Sequence, residues 1–177
     1  MVDVVARARI TDVIYAQLSQ DEDLHDAIIE IVKRENIRTG LVVNIVGGLK
    51  KARLSMPVRP TSVEAQPGIR EWEGGVMECS GVGIIGQTLE TFDGSAHSGV
   101  VHKAGEPYLH CHLTVTVGGE TFMGHLIEGC IVRSLSKQSH FTIALAKVEG
   151  ALLNSKLSKE RTAKYPGGFP VHELLQL

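Results

Sequence analysis

Three histidines fall close together in the second half of the chain, in the stretch Tyr108-Leu-His110-Cys-His112-Leu-Thr-Val-Thr-Val117, Gly118-Gly119, Glu120-Thr-Phe-Met-Gly-His125-Leu-Ile127. Two apolar-rich alternating runs joined by Gly-Gly predict a two-residue β-hairpin. With the glycines as the turn, Val117 opposes Glu120 and His112 opposes His125. His110 lies two residues before His112, on the same face and diagonal to His125. Opposed β-carbons in a sheet are about 4.5–5.5 Å apart and diagonal ones about 7–8 Å, so three imidazoles can meet at one point. Three neutral imidazole nitrogens suit a divalent transition metal, zinc foremost. A zinc ion with three protein ligands keeps an open position for water or substrate. His110, His112 and His125 are therefore the candidate metal ligands. The plain alternative is three polar residues on a solvated strand face.

The rest of the hairpin supports this register. The histidine face also carries Tyr108, Thr114, Thr116, Thr121 and Met123. The other face collects Leu109, Cys111, Leu113, Val115, Val117, Phe122 and Leu126, and is apolar. A slip of one residue would carry His125 to the apolar side, which burial resists. Cys111 then points into the core rather than at the metal, and Cys79 and Cys130 also read as buried small hydrophobes. His97, His102 and Glu106, in the preceding loop, are the candidates to close the fourth position or to support the ligands from outside, and His102 and Glu106 are the candidates for a general base. His25, His140 and His172 read as incidental.

The elements that position these residues follow from periodicity. Arg7 to Leu18 reads as a first strand. Leu24, Ala27, Ile28, Ile31 and Val32 form one helical stripe. Ser19 or Asp21 would cap it, Ser19 with Glu22 making a capping-box pattern, and Lys33 and Arg34 suit its C-terminal end. Leu41 to Val46 reads as a buried strand broken by Gly47-Gly48, with Ala52 to Met56 returning. Pro57 to Gly75 reads as mostly loop, with room for a short edge strand. Val76 to Ile85 reads as a strand in which Gly81 and Gly83 mark a bulge or close packing. Thr88 to Pro107 is polar and Gly-rich, with a long loop expected around Asp93 to Gly99, and His140 to Val148 reads as a strand. Residues 1–150 form one domain in this reading. Residues 151–177 form an extension, a short helix and then extended chain, packing on the domain or on a neighbouring subunit.

Composition sets limits on function. The chain has 177 residues, 43% hydrophobic and 21% charged, which fits a globular domain with a core. Eighteen basic against twenty acidic residues give a formal charge of −2, a poor basis for binding phosphates nonspecifically. Aromatic residues are only 5%, too few for a base-stacking platform. Three cysteines without a C-x-x-C pair point to a reducing, cytoplasmic setting. No signal peptide or membrane span is read.

The residues resemble the plants-and-prokaryotes conserved (PPC) domain from about Ala8 to Val148. The matching pieces are DEDLHDAIIEIVKRENIRTG, VVNIVGGLKKARL, MECSGVGII and EPYLHCHLTVTVGGETFMGHLIEGCIV. The last is the most specific, an H-x-H followed after a short turn by a G-G-H-like segment. Met123 stands here where the family usually has its first glycine. The resemblance implies an α+β fold, a mostly antiparallel sheet with one main helix packed on it, and metal binding by His110, His112 and His125. It also implies a homotrimer. Family members without the plant AT-hook often carry a DNA-binding label. This chain has no Arg-Gly-Arg-Pro core, its only Arg-Pro being Arg59-Pro60. DNA is thus a partner that the net charge disfavours, although Lys50, Lys51, Arg53 and the cations Lys156, Lys159, Arg161 and Lys164 could meet phosphates. The leading expectation is a metal-centred protein with a small-molecule ligand or a reaction at the metal. The alternatives are a DNA-associated module and a structural domain whose metal stabilises the assembly.

Overall fold

The structure is a computed structural model and describes residues 4–57, 67–93, 100–133, 140–160 and 170–177. Its elements run β1 (Arg9–Gln17), α1 (Leu24–Arg34), β2 (Gly40–Pro57), β3 (Pro67–Thr88), β4 (Phe92–Asp93), β5 (Val101–His102), β6 (Pro107–Val117), β7 (Glu120–Leu126), β8 (Ile131–Val132), β9 (Thr142–Glu149), β10 (Ala151–Leu157) and β11 (Pro170–Gln176). The expected α+β class with one main helix is what is seen, but the sheet is mixed. β10 runs parallel to β3, pairing Asn154 with Gln87 and Ser155 with Thr88, while the other pairings are antiparallel.

The helix forms where the apolar stripe predicts, and Leu24, Ile28, Ile31 and Val32 are buried. Its cap is Asp23 rather than Ser19 or Asp21. Asp21 sits at a φ of 71°, whereas Asp23 is extended, the conformation an N-cap needs. Asp23 Oδ1 accepts from the amides of His25 (2.9 Å) and Asp26 (3.3 Å). Its Oδ2 accepts from the Gly129 amide at 2.6 Å, tying the start of the helix to the segment after β7. The Glu22 half of the capping-box pattern survives as a turn, with the Ser19 amide donating to its carboxylate at 2.7 Å.

The two long strands depart furthest from expectation. β2 is continuous through Gly47-Gly48, because the glycines admit a neighbour instead of ending the strand. A β-carbon on Gly47 would stand 2.4 Å from the Phe141 ring. β3 extends back to Pro67 through a region expected to be loop, and pairs with β2 out to Pro57. Arg59 and Pro60 lie outside the described residues. β2 pairs β3, β3 pairs β6, β6 pairs β7, and β7 returns to β2 through Leu54–Leu126 and Ser55–His125. Four strands thus close a ring, and one set of faces holds the buried Ile45, Leu49, Leu54, Met77, Leu113 and Leu126. Closure brings β6 and β7 into fixed register against two long strands, which is what a site on their outer face requires.

Residues 151–157 are strand β10, not the expected helix, and β11 pairs with it antiparallel from Ala151–Gln176 to Leu157–Pro170. No described helix is long and apolar enough to cross a membrane.

Candidate metal centre

The hairpin adopts the expected register. Val117 pairs with Glu120 and His112 with His125, and Gly118 and Gly119 carry φ values of 58° and 88°, the left-handed pair that a tight type I′ turn demands. Val82 of β3 opposes His112, so Val82, His112 and His125 form one row across three strands. Gly83 packs closely, as anticipated: a β-carbon there would come within 2.6 Å of the His110 carbonyl. The opposite face buries Cys111, Leu113 and Val115.

On the outer face the three rings turn toward one another. His110 Nε2 is 3.2 Å from His112 Nε2 and 3.1 Å from His125 Nε2. All three offer donor atoms within 4.8 Å of each other. Nitrogens held about 2.0–2.1 Å from a zinc ion at tetrahedral angles stand ~3.3–3.4 Å apart, so this donor set fits a zinc-sized divalent ion. His110 and His125 are half-buried and His112 is exposed.

The cysteines lie away from this donor set: none is in the converging group, and all three are buried, Cys111 on the opposite face. Burial, the largest influence on each, pushes the thiols of Cys79, Cys111 and Cys130 up to about 12. A second group of potential ligands, Asp23, His25 and Asp26, has a structural explanation, since both Asp23 oxygens are engaged by backbone amides at the helix start.

His110 and His125 border a cavity of about 850 Å³. Helix α1 contributes Ile29 and Lys33 to its wall, β5 contributes His102, β6 contributes Tyr108, and β11 contributes Val171 and His172. Of the residues expected to close the fourth position, His102 and Glu106 are not in the three-histidine group, and His97 lies outside the described residues. His102 is held between Phe92 and Tyr108, with ring centroids at 4.7 Å and 5.3 Å. Burial, and secondarily His25, lower its pKa, which keeps the ring neutral at pH 7. Glu106 forms an ion pair with Lys33.

His172 is the residue that the sequence reading passes over. By sequence it stands with His25 and His140 as incidental, yet β11 carries it to Tyr108 and His110. Its Nε2 is 2.7 Å from the Tyr108 hydroxyl and 3.4 Å from His110 Nδ1. The alternation Val171-His172-Glu173 hints at a strand, but nothing local fixes where that strand pairs.

The family model of the Plants and Prokaryotes Conserved domain, abbreviated PCC or PPC, matches residues 6–138. The chain belongs to this family. Among solved structures of similar fold, the plant- and prokaryote-conserved protein of Pyrococcus horikoshii has a TM-score of 0.67 at 20% identity, covering 99% of this chain and 100% of that one. A protein of Archaeoglobus fulgidus named as metal-containing has a TM-score of 0.65 at 15% identity, covering 99% of each. A protein of Bacteroides thetaiotaomicron provisionally named for DNA binding has a TM-score of 0.61 at 15% identity, covering 93% of this chain and 94% of that one. At these identities the likeness shows the PPC fold. No curated protein matches the sequence.

Proposed function

We propose that this PPC protein holds a divalent metal, zinc foremost, on Nε2 of His110, His112 and His125. The open coordination position serves a small-molecule ligand or a metal-dependent reaction. The observation that carries this is the convergence of three imidazoles on one outer face, with His110 Nε2 at 3.1–3.2 Å from the other two Nε2 atoms and all donor atoms within 4.8 Å of one another. Bound there, the metal would act as a Lewis acid or lower the pKa of a coordinated water. The neighbouring cavity has room for a small organic molecule. His102 and Glu106 both line this cavity, where burial disfavours the charged form of His102 and Lys33 engages Glu106.

Self-association as a homotrimer accords with the outer face. Val46, Val82 and Met123 are exposed on the histidine side, and Val13 and Tyr15 of β1 continue the same face. Apolar residues gathered on an exposed sheet face mark a protein interface. Light scattering should then give about three times the 19.1 kDa chain mass.

Metal analysis of protein purified without a histidine tag tests the central reading. The expected result is about one zinc per chain, and none after substitution of His110, His112 and His125 together by alanine. Absence of stoichiometric metal in the unmodified protein, with no metal taken up on addition, would sink the reading.

The second reading, DNA association, draws on the name of the Bacteroides relative. Charge pairing weighs against it. Lys50 pairs with Asp21, Lys51 and Arg53 with Glu71, and Lys156 with Glu173. Binding to duplex DNA that weakens steeply with salt would favour this reading; salt-independent or undetectable binding removes it.

A further inference from the structure

His172 stands at the back of the candidate ligand cluster. His110 points Nε2 toward His112 and His125, and its opposite nitrogen, Nδ1, faces His172 Nε2 at 3.4 Å. His172 is therefore not a fourth ligand. It meets the far edge of the His110 ring and is not in the group whose donor atoms converge. An imidazole that ligates through Nε2 carries its proton on Nδ1, and an acceptor there fixes both the tautomer and the direction of the ring. The Tyr108 hydroxyl approaches the same His172 nitrogen at 2.7 Å. A tyrosine hydroxyl can donate as well as accept. The Tyr108 hydroxyl and the His110 Nδ1 edge thus face the same nitrogen of His172, which accepts from His110 when His172 carries its own proton on Nδ1.

The strand that delivers His172 is anchored independently. His172 pairs in register with Ser155 of β10. The next residue, Glu173, forms an ion pair with Lys156 and accepts from Asn154 Nδ2 at 3.3 Å. β11 lies beyond residues 6–138, so the match to the family model does not cover it.

We propose that His172 is a positioning residue for the metal centre. It accepts the Nδ1 proton of His110 and so sets which nitrogen of that ring is offered to the metal, making the C-terminal strand a working part of the site. This rests on the reading of His110, His112 and His125 as ligands.

Competition titration of zinc against a chromophoric chelator tests it, using the full-length chain and its His172→Ala, His172→Phe and His172→Gln variants. His172 is exposed, and circular dichroism of the metal-free variants checks that each is folded. Loss of such an outer partner weakens metal binding about 10–100-fold. The alanine and phenylalanine variants should show that loss. Glutamine, whose side-chain oxygen can accept from His110, should recover most of it. If alanine and phenylalanine bind zinc as the parent does, the inference is overturned while the metal centre stands. A phenylalanine variant equal to the parent shows that the ring only fills space, and a glutamine variant no better than phenylalanine shows that an acceptor does not restore binding; either result overturns it. A parent protein that binds no zinc overturns the metal reading itself, and the role of His172 falls with it.

Discussion

The two faces of the β6–β7 hairpin are built from alternate residues of the same strands, yet they do opposite chemistry. Cys111 lies between His110 and His112, and as a residue type it is a strong zinc ligand. Turned inward among Leu113 and Val115, its thiol is held protonated by burial. The histidines, turned outward, keep their ring nitrogens within reach of one another. Pleat parity separates a packing surface from a ligand surface here, and the residue types follow from the face. The same rule governs the neighbouring strand, where Gly83 opposes Cys111 and lets the inner layers close, while Val82 opposes His112 on the outside.

This contrast can be broken most sharply at the thiols. With pKa values near 12 instead of 9, the three cysteines carry roughly a thousandfold less thiolate at pH 8. Iodoacetamide should leave all three unmodified in the native protein and label all three in guanidinium, as read by mass spectrometry. Rapid labelling of Cys111 in the folded state would mean that the inner face is open. The next largest effect is at Leu113, which is fully buried. Leu113→Ala should lower unfolding free energy by about 2–5 kcal/mol in a denaturant titration. Zinc affinity of the molecules that remain folded should change little, because the deletion is made on the opposite side of the sheet from the imidazoles.

Local pairing was legible in the sequence and long-range pairing was not. The helix stripe over Leu24 to Val32 and the hairpin register through Gly118-Gly119 each follow from residues close together in the chain, and both are present as read. Ser19 or Asp21 reads as the cap in place of Asp23 because all three are capping residue types, and the backbone conformation with the tertiary contact to the Gly129 amide selects Asp23. Gly47-Gly48 looked like a break because the partner that needs the space, Phe141, lies far along the chain. The parallel β10–β3 contact and the delivery of His172 to Tyr108 depend on how the C-terminal hairpin docks. No periodicity encodes that. The histidine triad was therefore readable, and the residue behind it was not.

The smallest test separates hairpin stability from site geometry on the outer face itself. Thr116 and Thr121 pair across the strands near the turn, with hydroxyls 3.3 Å apart, on the face that carries the histidines. Cross-strand pairs of this kind contribute about 0.2–1 kcal/mol. Thr121→Ala should cost no more than that in thermal or denaturant unfolding. It should leave zinc affinity within experimental error, because the His112–His125 row is held by β3 and β2 as well as by the turn. A large loss of zinc affinity in this variant would mean that the turn alone sets the imidazole positions and that ring closure through β2 contributes little. An unchanged affinity assigns the positioning to the four-strand ring.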